Sequence, residues 1–189
     1  NRHVGRSAYS DWPYPSSAHD HWSVGQEIGK GKNQMFPEMR RSDLQLSDSD
    51  CVALLTQGEY GILSTLGHHG YPYGVPVNYV YVNGSIYFHG ALGVGSKIES
   101  ISRNPKVCFT VTSDVQVLPD QFSTQYKSAI AFGDASEVFG VEKEQILMEF
   151  VQKYSNDFKE RGQAVIKGAC SKTAVFKITV AHQTGKAHP

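Results

Sequence analysis

One stretch of the chain, residues 60–97, constrains the fold more than any other. Short runs of apolar and aromatic residues alternate there with turn sequences, a pattern typical of consecutive β-strands. Asn83 and Gly84 separate two of these runs, and both residue types tolerate the positive φ that a two-residue hairpin requires. The predicted strands are 60–66, 74–82 and 85–89. We expect them to pair in antiparallel order as one sheet.

Further strands and helices follow the same patterns along the chain. A short helix capped by Ser47 or Ser49 should end before Gly58. The other predicted helices are 96–104 and 142–154, and the other predicted strands are 107–112, 126–139 and 174–180. A polar loop is expected at 113–125, and Gly133 indicates a bulge within its strand. Because most strands are antiparallel and helices lie between them, the sequence predicts a mainly β fold, a closed barrel with peripheral helices.

A glycine-rich segment, residues 90–97, leads from a strand into a helix that begins with Ser96 and Lys97. Free backbone N–H groups at a helix start, together with a lysine, favour binding of a phosphate. An ordinary capped helix with an exposed lysine explains the same residues, and the segment alone does not decide between the two. A nucleoside triphosphate loop is excluded, because its lysine precedes Ser or Thr, whereas here Ser96 precedes Lys97.

The sequence contains few candidates for acid, base or nucleophilic catalysis. His89 ends a predicted strand, where a histidine satisfied by the backbone is the usual case. His68 and His69 fall in a turn and are expected to be solvated. No Ser/His/Asp or Cys/His arrangement is evident, and carboxylates are scarce in the strands. A chain of this kind is expected to take its chemistry from a cofactor.

Composition narrows the possible partners and the compartment. Acidic and basic residues number 18 each, so no strong field favours nucleic acid or an anionic membrane. There is no apolar run long enough to span a bilayer and no signal-peptide pattern. We therefore expect a soluble, cytoplasmic protein that does not bind nucleic acid or membranes.

Metal-ligating residues show no convincing spacing. The three cysteines, Cys51, Cys108 and Cys170, are widely separated and show no metal spacing. Because Cys51 and Cys108 lie in apolar runs, we expect buried, reduced thiols. A weak hint of a metal site comes from a histidine pair that flanks an aspartate: His19, Asp20 and His21. A site needs three or four ligands, so we expect no metal.

The first 34 residues differ from the remainder in having little periodicity. They begin with Asn1, and Met35 would be a natural start for the patterned domain, residues 35–189. One hypothesis is that residues 1–34 derive from an expression vector or from upstream translated sequence. The alternative is a genuine extension that docks on the domain or its dimer. Its aromatic residues would then make the contact: Trp12, Tyr14 and Trp22.

Several segments together resemble the nitroimidazole-resistance proteins, which belong to the pyridoxamine 5′-phosphate oxidase-like superfamily of flavin-binding split barrels. The resemblance covers about residues 37–187. Its segments are 39–41 (MRR), 60–65 (YGILST), 70–79 (GYPYGVPVNY), 86–91 (IYFHGA), 95–97 (GSK), 104–107 (NPKV), 126–133 (YKSAIAFG) and 185–187 (GKA). This resemblance implies a six-stranded antiparallel split β-barrel, a homodimer, and flavin mononucleotide (FMN) at the subunit interface.

The resemblance also implies roles for particular residues. Lys97 and Ser96 would meet the FMN phosphate, and Ser64 and Thr65 would contact the phosphate or the ribityl chain. Three residues of the second strand would line the isoalloxazine: Val77, Asn78 and Tyr79. Two residues of a later strand would close the site from the same or the partner subunit: Tyr126 and Ser128. His89 would lie on the substrate side of the flavin as a catalytic residue, and Arg40 and Arg41 would reach the cofactor less surely.

These implications lead to an FMN-dependent oxidoreductase that passes electrons from a nicotinamide donor to a nitroimidazole, a nitroaromatic or a similar small-molecule acceptor. Oxidation of pyridoxamine 5′-phosphate is an alternative, although the sequence shows no second basic cluster for the substrate phosphate. A non-catalytic flavin or haem binder is another, with His89 or His69 as a haem ligand.

Overall fold

The computed structural model of the protein describes residues 36, 38–67 and 69–189. The predicted extension at 1–34 lies outside the described residues, and with it the histidine pair considered as a metal site, His19 and His21 with Asp20. His68 in the first turn also lies outside them.

Six antiparallel strands close into a barrel with the order β1-β2-β3-β6-β5-β4. The strands are β1 Tyr60–Leu66, β2 Pro72–Val82, β3 Ser85–Ala91, β4 Lys106–Leu118, β5 Ser123–Val138 and β6 Thr173–His188. Four α-helices surround it: α1 Asp48–Gln57, α2 Ser96–Arg103, α3 Gly140–Tyr154 and α4 Lys159–Ala169. The expected mainly β barrel with peripheral helices is confirmed. No helix in the described part of the chain is both long and apolar enough to cross a membrane.

Local signals in the sequence explain where these elements begin and turn. Asn83 and Gly84 both adopt positive φ, 49° and 76°, as the predicted hairpin requires. The Ser47 side chain accepts a hydrogen bond of 3.1 Å from the Asp50 N–H and so caps α1. At Gly133 the pairing of β5 with β6 shifts register, which confirms the predicted bulge.

Two apolar clusters hold the fold together. The barrel interior is filled by large side chains with no exposed surface, among them Tyr79, Phe88 and Phe109. The second cluster lies outside the barrel, where Phe150 of α3 packs with Tyr87 of β3. Helix α3 therefore covers the outer face of the sheet, and it forms one wall of the cavity described below.

The predicted polar loop at 113–125 is wrong. Strand β4 continues through this region to Leu118, and a tight turn leads into β5 at Ser123. The pairing of β4 with β5 shifts register between Ser113 and Gln116. Beyond this point the two strands continue as a paired hairpin, which we call the arm. The sequence pattern missed it because Val115 and Val117 are 63% and 66% exposed, so no buried face imposes an alternation that separates strand from loop.

Tyr154 and Lys153, at the end of α3, anchor this helix to β2. The Tyr154 hydroxyl donates to the Glu59 carbonyl oxygen at 2.6 Å and accepts from the Tyr79 N–H at 3.0 Å. The neighbouring Lys153 Nζ donates to the Tyr79 carbonyl oxygen at 3.0 Å, and partial burial lowers the pKa of Lys153 to about 8. The position of α3 therefore depends on side-chain bonds to the backbone of the sheet.

Replacing Tyr154 with phenylalanine should lower the free energy of unfolding by about 1 to 2 kcal/mol, because the Tyr79 N–H loses its partner in a partly buried place. Chemical denaturation followed by circular dichroism measures the change. Tyr60→Phe is the matched control, since Tyr60 is 61% exposed. Equal stability of the two variants would show that the Tyr154 hydroxyl does not anchor α3.

Candidate functional site

The predicted phosphate site brings Lys97 against Gly90. A Cβ atom at Gly90 would lie 3.1 Å from Lys97 Cε and 3.2 Å from its Nζ, so the lysine side chain crosses the end of β3 where glycine leaves room. Gly95, with φ of 107°, is the residue before the first turn of α2, and no side chain caps the helix. Lys97 is partly buried and has no ion pair or hydrogen bond with other described residues. The ammonium group of Lys97 is therefore available to bind an anion.

Thr65 and Ser64 lie on β1, against which α2 packs. Thr65 is only 4% exposed, and its hydroxyl has no hydrogen-bond partner among the described residues. Burying a hydroxyl without a partner is unfavourable, so this atom is a candidate to bond a ligand. Ser64 directly precedes Thr65, so its side chain lies on the opposite face of the strand. It is partly exposed and lies next to Gly74.

His89 sits beside this site at the end of β3. Its ring meets Phe150 of α3 edge to face, with ring centroids 4.7 Å apart. The side chain is accessible, but the surrounding protein lowers the pKa of His89 from its ordinary value of 6.5, and the charge of Lys97 lowers it further. The imidazole is therefore mainly neutral at pH 7.

His89 also opens on an apolar cavity of about 420 Å³ between the end of β3, α3 and α4. Phe150 and Phe158 lie in its wall, and Arg161 and Cys170 line it from α4 and the turn that follows. His89 lines this cavity, and the charge of Lys97 is close enough to act on its imidazole. The anion site and the cavity therefore adjoin consecutive residues of β3, Gly90 and His89, whose side-chain positions face opposite sides of the strand.

Of the three β2 residues predicted to line the isoalloxazine, two have buried side chains and one has an exposed side chain. The side chains of Val77 and Tyr79 point into the barrel core, where the Tyr79 hydroxyl donates to the Leu55 carbonyl oxygen at 2.6 Å. Only their backbone is left to face a ligand. Asn78 is exposed on the outside, and its Nδ2 donates to the Glu59 carbonyl oxygen at 3.3 Å.

Tyr126 and Ser128 lie away from the other predicted residues within one protomer. Ser64 of β1 pairs with Cys108 of β4, whereas Ser128 of β5 pairs with Thr112 of the same strand. The β4 partners of Ser64 and Ser128 are four residues apart, so the two serines are separated by about 13 Å along the direction of β4. Tyr126 lies further in the same direction.

Of the two N-terminal arginines, Arg41 is engaged on the surface. Its guanidinium pairs with Asp43 through a 2.6 Å contact. Arg40 is exposed in the turn before this pair. The side-chain contacts of Arg41 within the described residues are with Asp43, and the approach of the two arginines to the cofactor stays a prediction.

The sequence pattern missed the contribution of α4 to the site. Apolar residues at Phe158, Val165, Ile166 and Ala169 recur at helical spacing and face the cavity. That spacing was the available signal, but glycines at 162 and 168 and several polar residues weaken it. No group of three or more metal-ligating side chains gathers in the described part of the chain.

Comparison with known proteins gives a family and a fold. A family profile described as pyridoxamine 5′-phosphate oxidase matches residues 47–187. No curated protein sequence matches significantly.

The solved structures that share the fold at low identity include the following three. A candidate 5-nitroimidazole antibiotic resistance protein from Bacteroides thetaiotaomicron is 22% identical, with a TM-score of 0.58 over 76% of this chain and 86% of that one. Flavocytochrome Anf3 from Azotobacter vinelandii is 21% identical, with a TM-score of 0.68 over 80% and 72%. A FAD and haem binding protein from Mycobacterium smegmatis is 18% identical, with a TM-score of 0.66 over 76% and 72%.

Proposed function

Because the chain belongs to the pyridoxamine 5′-phosphate oxidase family, we propose that it is a flavoprotein whose flavin phosphate binds Lys97. The observation that carries this proposal is the Lys97 amine, which lies over Gly90 and has no hydrogen bond or ion pair with another described residue. The buried, unpaired hydroxyl of Thr65 fits the same group as a donor to a phosphate or ribityl oxygen. Structural neighbours named for FAD binding and as a flavocytochrome support a flavin.

FMN is the flavin that we propose. The anion site offers one lysine, the hydroxyls of Ser96 and Thr65, and the start of a short helix, which suits a single terminal phosphate. FAD would present a diphosphate and an adenosine, which need further donors beyond these groups. Comparison of FMN with FAD in binding experiments tests this choice directly.

A homodimer would complete the site. Tyr126 and Ser128 lie in a different row of the sheet from Ser64 and Thr65, so one protomer does not bring all four together. We propose that the second pair comes from the partner subunit, with the flavin at the interface. Size-exclusion chromatography coupled to light scattering measures the oligomeric state.

The proposed activity is reduction of a nitroaromatic or nitroimidazole acceptor with electrons from a nicotinamide donor. A bound flavin accepts two electrons and passes them on. The protein itself neutralises the phosphate with Lys97, excludes water with the apolar wall of α3, and holds the His89 imidazole where it can deliver a proton. One structural neighbour is a candidate 5-nitroimidazole resistance protein, which supports this class of acceptor.

Oxidation of pyridoxamine 5′-phosphate is a weaker proposal. Its substrate carries a second phosphate, and a pocket for it needs several cationic or N–H donors. The cavity beside His89 is lined by one arginine and no lysine.

Anaerobic spectroscopy of the flavin-loaded protein tests the proposed reaction. We expect the flavin absorbance to bleach when a nicotinamide donor is added and to recover when a nitroimidazole is added. A flavin that neither reagent affects would reject the reductase and favour a carrier.

A haem carrier is the second candidate, because a neutral histidine that opens on an apolar cavity is a suitable axial ligand. Two structural neighbours are named for haem binding or as a flavocytochrome. Added haem would then give a Soret band that is lost in His89→Ala.

Gly90→Ala should weaken flavin binding about three- to tenfold, because the added methyl group displaces the end of the Lys97 side chain. Stability should change by less than about 1 kcal/mol, since only the flexible end of that side chain has to move. Gly168→Ala on α4 is the control, since nothing lies within 4 Å of a Cβ there. Flavin titration is the measurement, and unchanged affinity in Gly90→Ala would place the phosphate elsewhere.

A further inference from the structure

The cavity between α3 and α4 is open to solvent and has a largely apolar lining. Its volume of about 420 Å³ falls within the range of small-molecule sites in proteins. Its apolar lining comes from both helices: Leu147, Phe150, Val151, Phe158, Val165 and Ile166. Two phenylalanines line it, Phe150 of α3 and the 62% exposed Phe158 just before α4, and such rings suit stacking against a planar ring.

The two helices pack closely against each other beside this cavity. A Cβ atom at Gly162 of α4 would meet the Val151 Cγ1 atom of α3 at 2.5 Å, which real contacts do not allow. Glycine therefore lets the helices touch there. The cavity is a gap beside a tight contact and belongs to the packing of this helix pair.

The charged group in the lining is Arg161. It makes no ion pair or hydrogen bond with other described residues, and no aspartate or glutamate lines the cavity. The remaining polar groups are the His89 imidazole, two hydroxyls and the thiol of Cys170. An anion is therefore complementary to this site, and the planar guanidinium matches a carboxylate through two parallel hydrogen bonds.

We propose that this cavity binds an aromatic molecule that carries one carboxylate, with the ring between Phe150 and Phe158 and the carboxylate on Arg161. The proposal deepens the function proposed above, on which its catalytic consequence rests, because it names the class of acceptor. Arg161 is then a specificity-determining residue, and His89 lies beside the ring that is reduced.

Binding of two fluorescent probes tests the proposal without any turnover. Anilinonaphthalene sulfonate is an aromatic anion, and phenylnaphthylamine is its uncharged counterpart. Arg161→Gln should weaken the anionic probe about tenfold and the uncharged probe less than about twofold. Arg103→Gln, which removes an exposed arginine from α2, is the matched control and should change neither. Biphenyl carboxylate should displace the anionic probe more effectively than biphenyl carboxamide does.

Cys170 reports whether the probe occupies this cavity. Its alkylation by iodoacetamide, followed by peptide mass spectrometry, should slow when either probe is bound. Equal affinities of both probes for the parent and Arg161→Gln, or unprotected Cys170, would overturn the proposal. Displacement of the probes by haem with a Soret band that requires His89 would overturn it as well.

The probe experiments are made on the full chain before and after incubation with FMN, so the two proposals fail separately. Charge-selective probe binding without flavin uptake would leave the cavity assignment standing and remove the flavin assignment. In the flavin-loaded protein, nitrobenzoate should be preferred to nitrobenzamide, and Arg161→Gln should reduce that preference about tenfold.

Discussion

Lys97→Ala is expected to weaken FMN binding by roughly 10- to 100-fold, because it removes a charge-assisted contact to the phosphate. The lysine lies over Gly90 at the start of α2 and has no other described partner, so little else should change. Fluorescence titration of FMN measures the affinity. Riboflavin, which has no phosphate, should bind the parent and the variant equally.

Two controls define this result. Lys97→Arg keeps the charge and should recover most of the affinity, whereas Lys159→Ala removes an exposed lysine at the start of α4 and should have no effect. An unchanged FMN affinity in Lys97→Ala, with the fold intact by circular dichroism, would contradict the phosphate assignment.

His89→Ala is expected to slow acceptor reduction roughly 100-fold or more while FMN binds within about twofold of the parent, because a proton donor is lost and the anion site is not. Stopped-flow oxidation of the reduced flavin by a nitroaromatic isolates this step. His69→Ala, in the turn after β1, is the control and should leave the rate unchanged.

The dependence on pH separates a proton donor from a residue that only shapes the site. The surrounding protein and Lys97 lower the pKa of His89 below 6.5, so the imidazole is mainly neutral at pH 7. If its protonated form is required, the rate should rise as the pH falls through 6.5 and below. That rise should be absent in His89→Ala and His89→Gln. An identical rise in His89→Ala would assign the titration to another group.

Local sequence chemistry predicted the six strands of the barrel, although β4 and β6 extend well beyond their predicted ends at 112 and 180. The Asn83-Gly84 turn, the cap at Ser47 and the bulge at Gly133 each reflect a conformation that few residue types adopt, and each is confirmed. The helix predicted at 142–154 is confirmed within its boundaries, because its apolar stripe is buried.

Local sequence patterns did not predict the arm formed by β4 and β5, nor did they predict helix α4. Exposed strands have no buried face, and α4 has no fully buried residue. Such elements are positioned by tertiary contacts, such as the contact of Gly162 with Val151, which no local pattern reveals.

The candidate site was predictable in part. Lys97 follows from the glycine-rich start of a helix, and its position over Gly90 agrees with that argument. The apolar cavity beside His89 was not predictable, since α4 supplies much of its wall. The side chains of Val77 and Tyr79 lie in the core, and Val75 and Tyr81 pack against the same cluster.

The absorbance spectrum of the protein after incubation with FMN or FAD and removal of free flavin tests the central claim most directly. We expect a flavin spectrum with about one FMN per chain, tighter retention of FMN than of FAD, and loss of FMN in Lys97→Ala. A protein that retains neither flavin, or that retains FMN equally without Lys97, would contradict it.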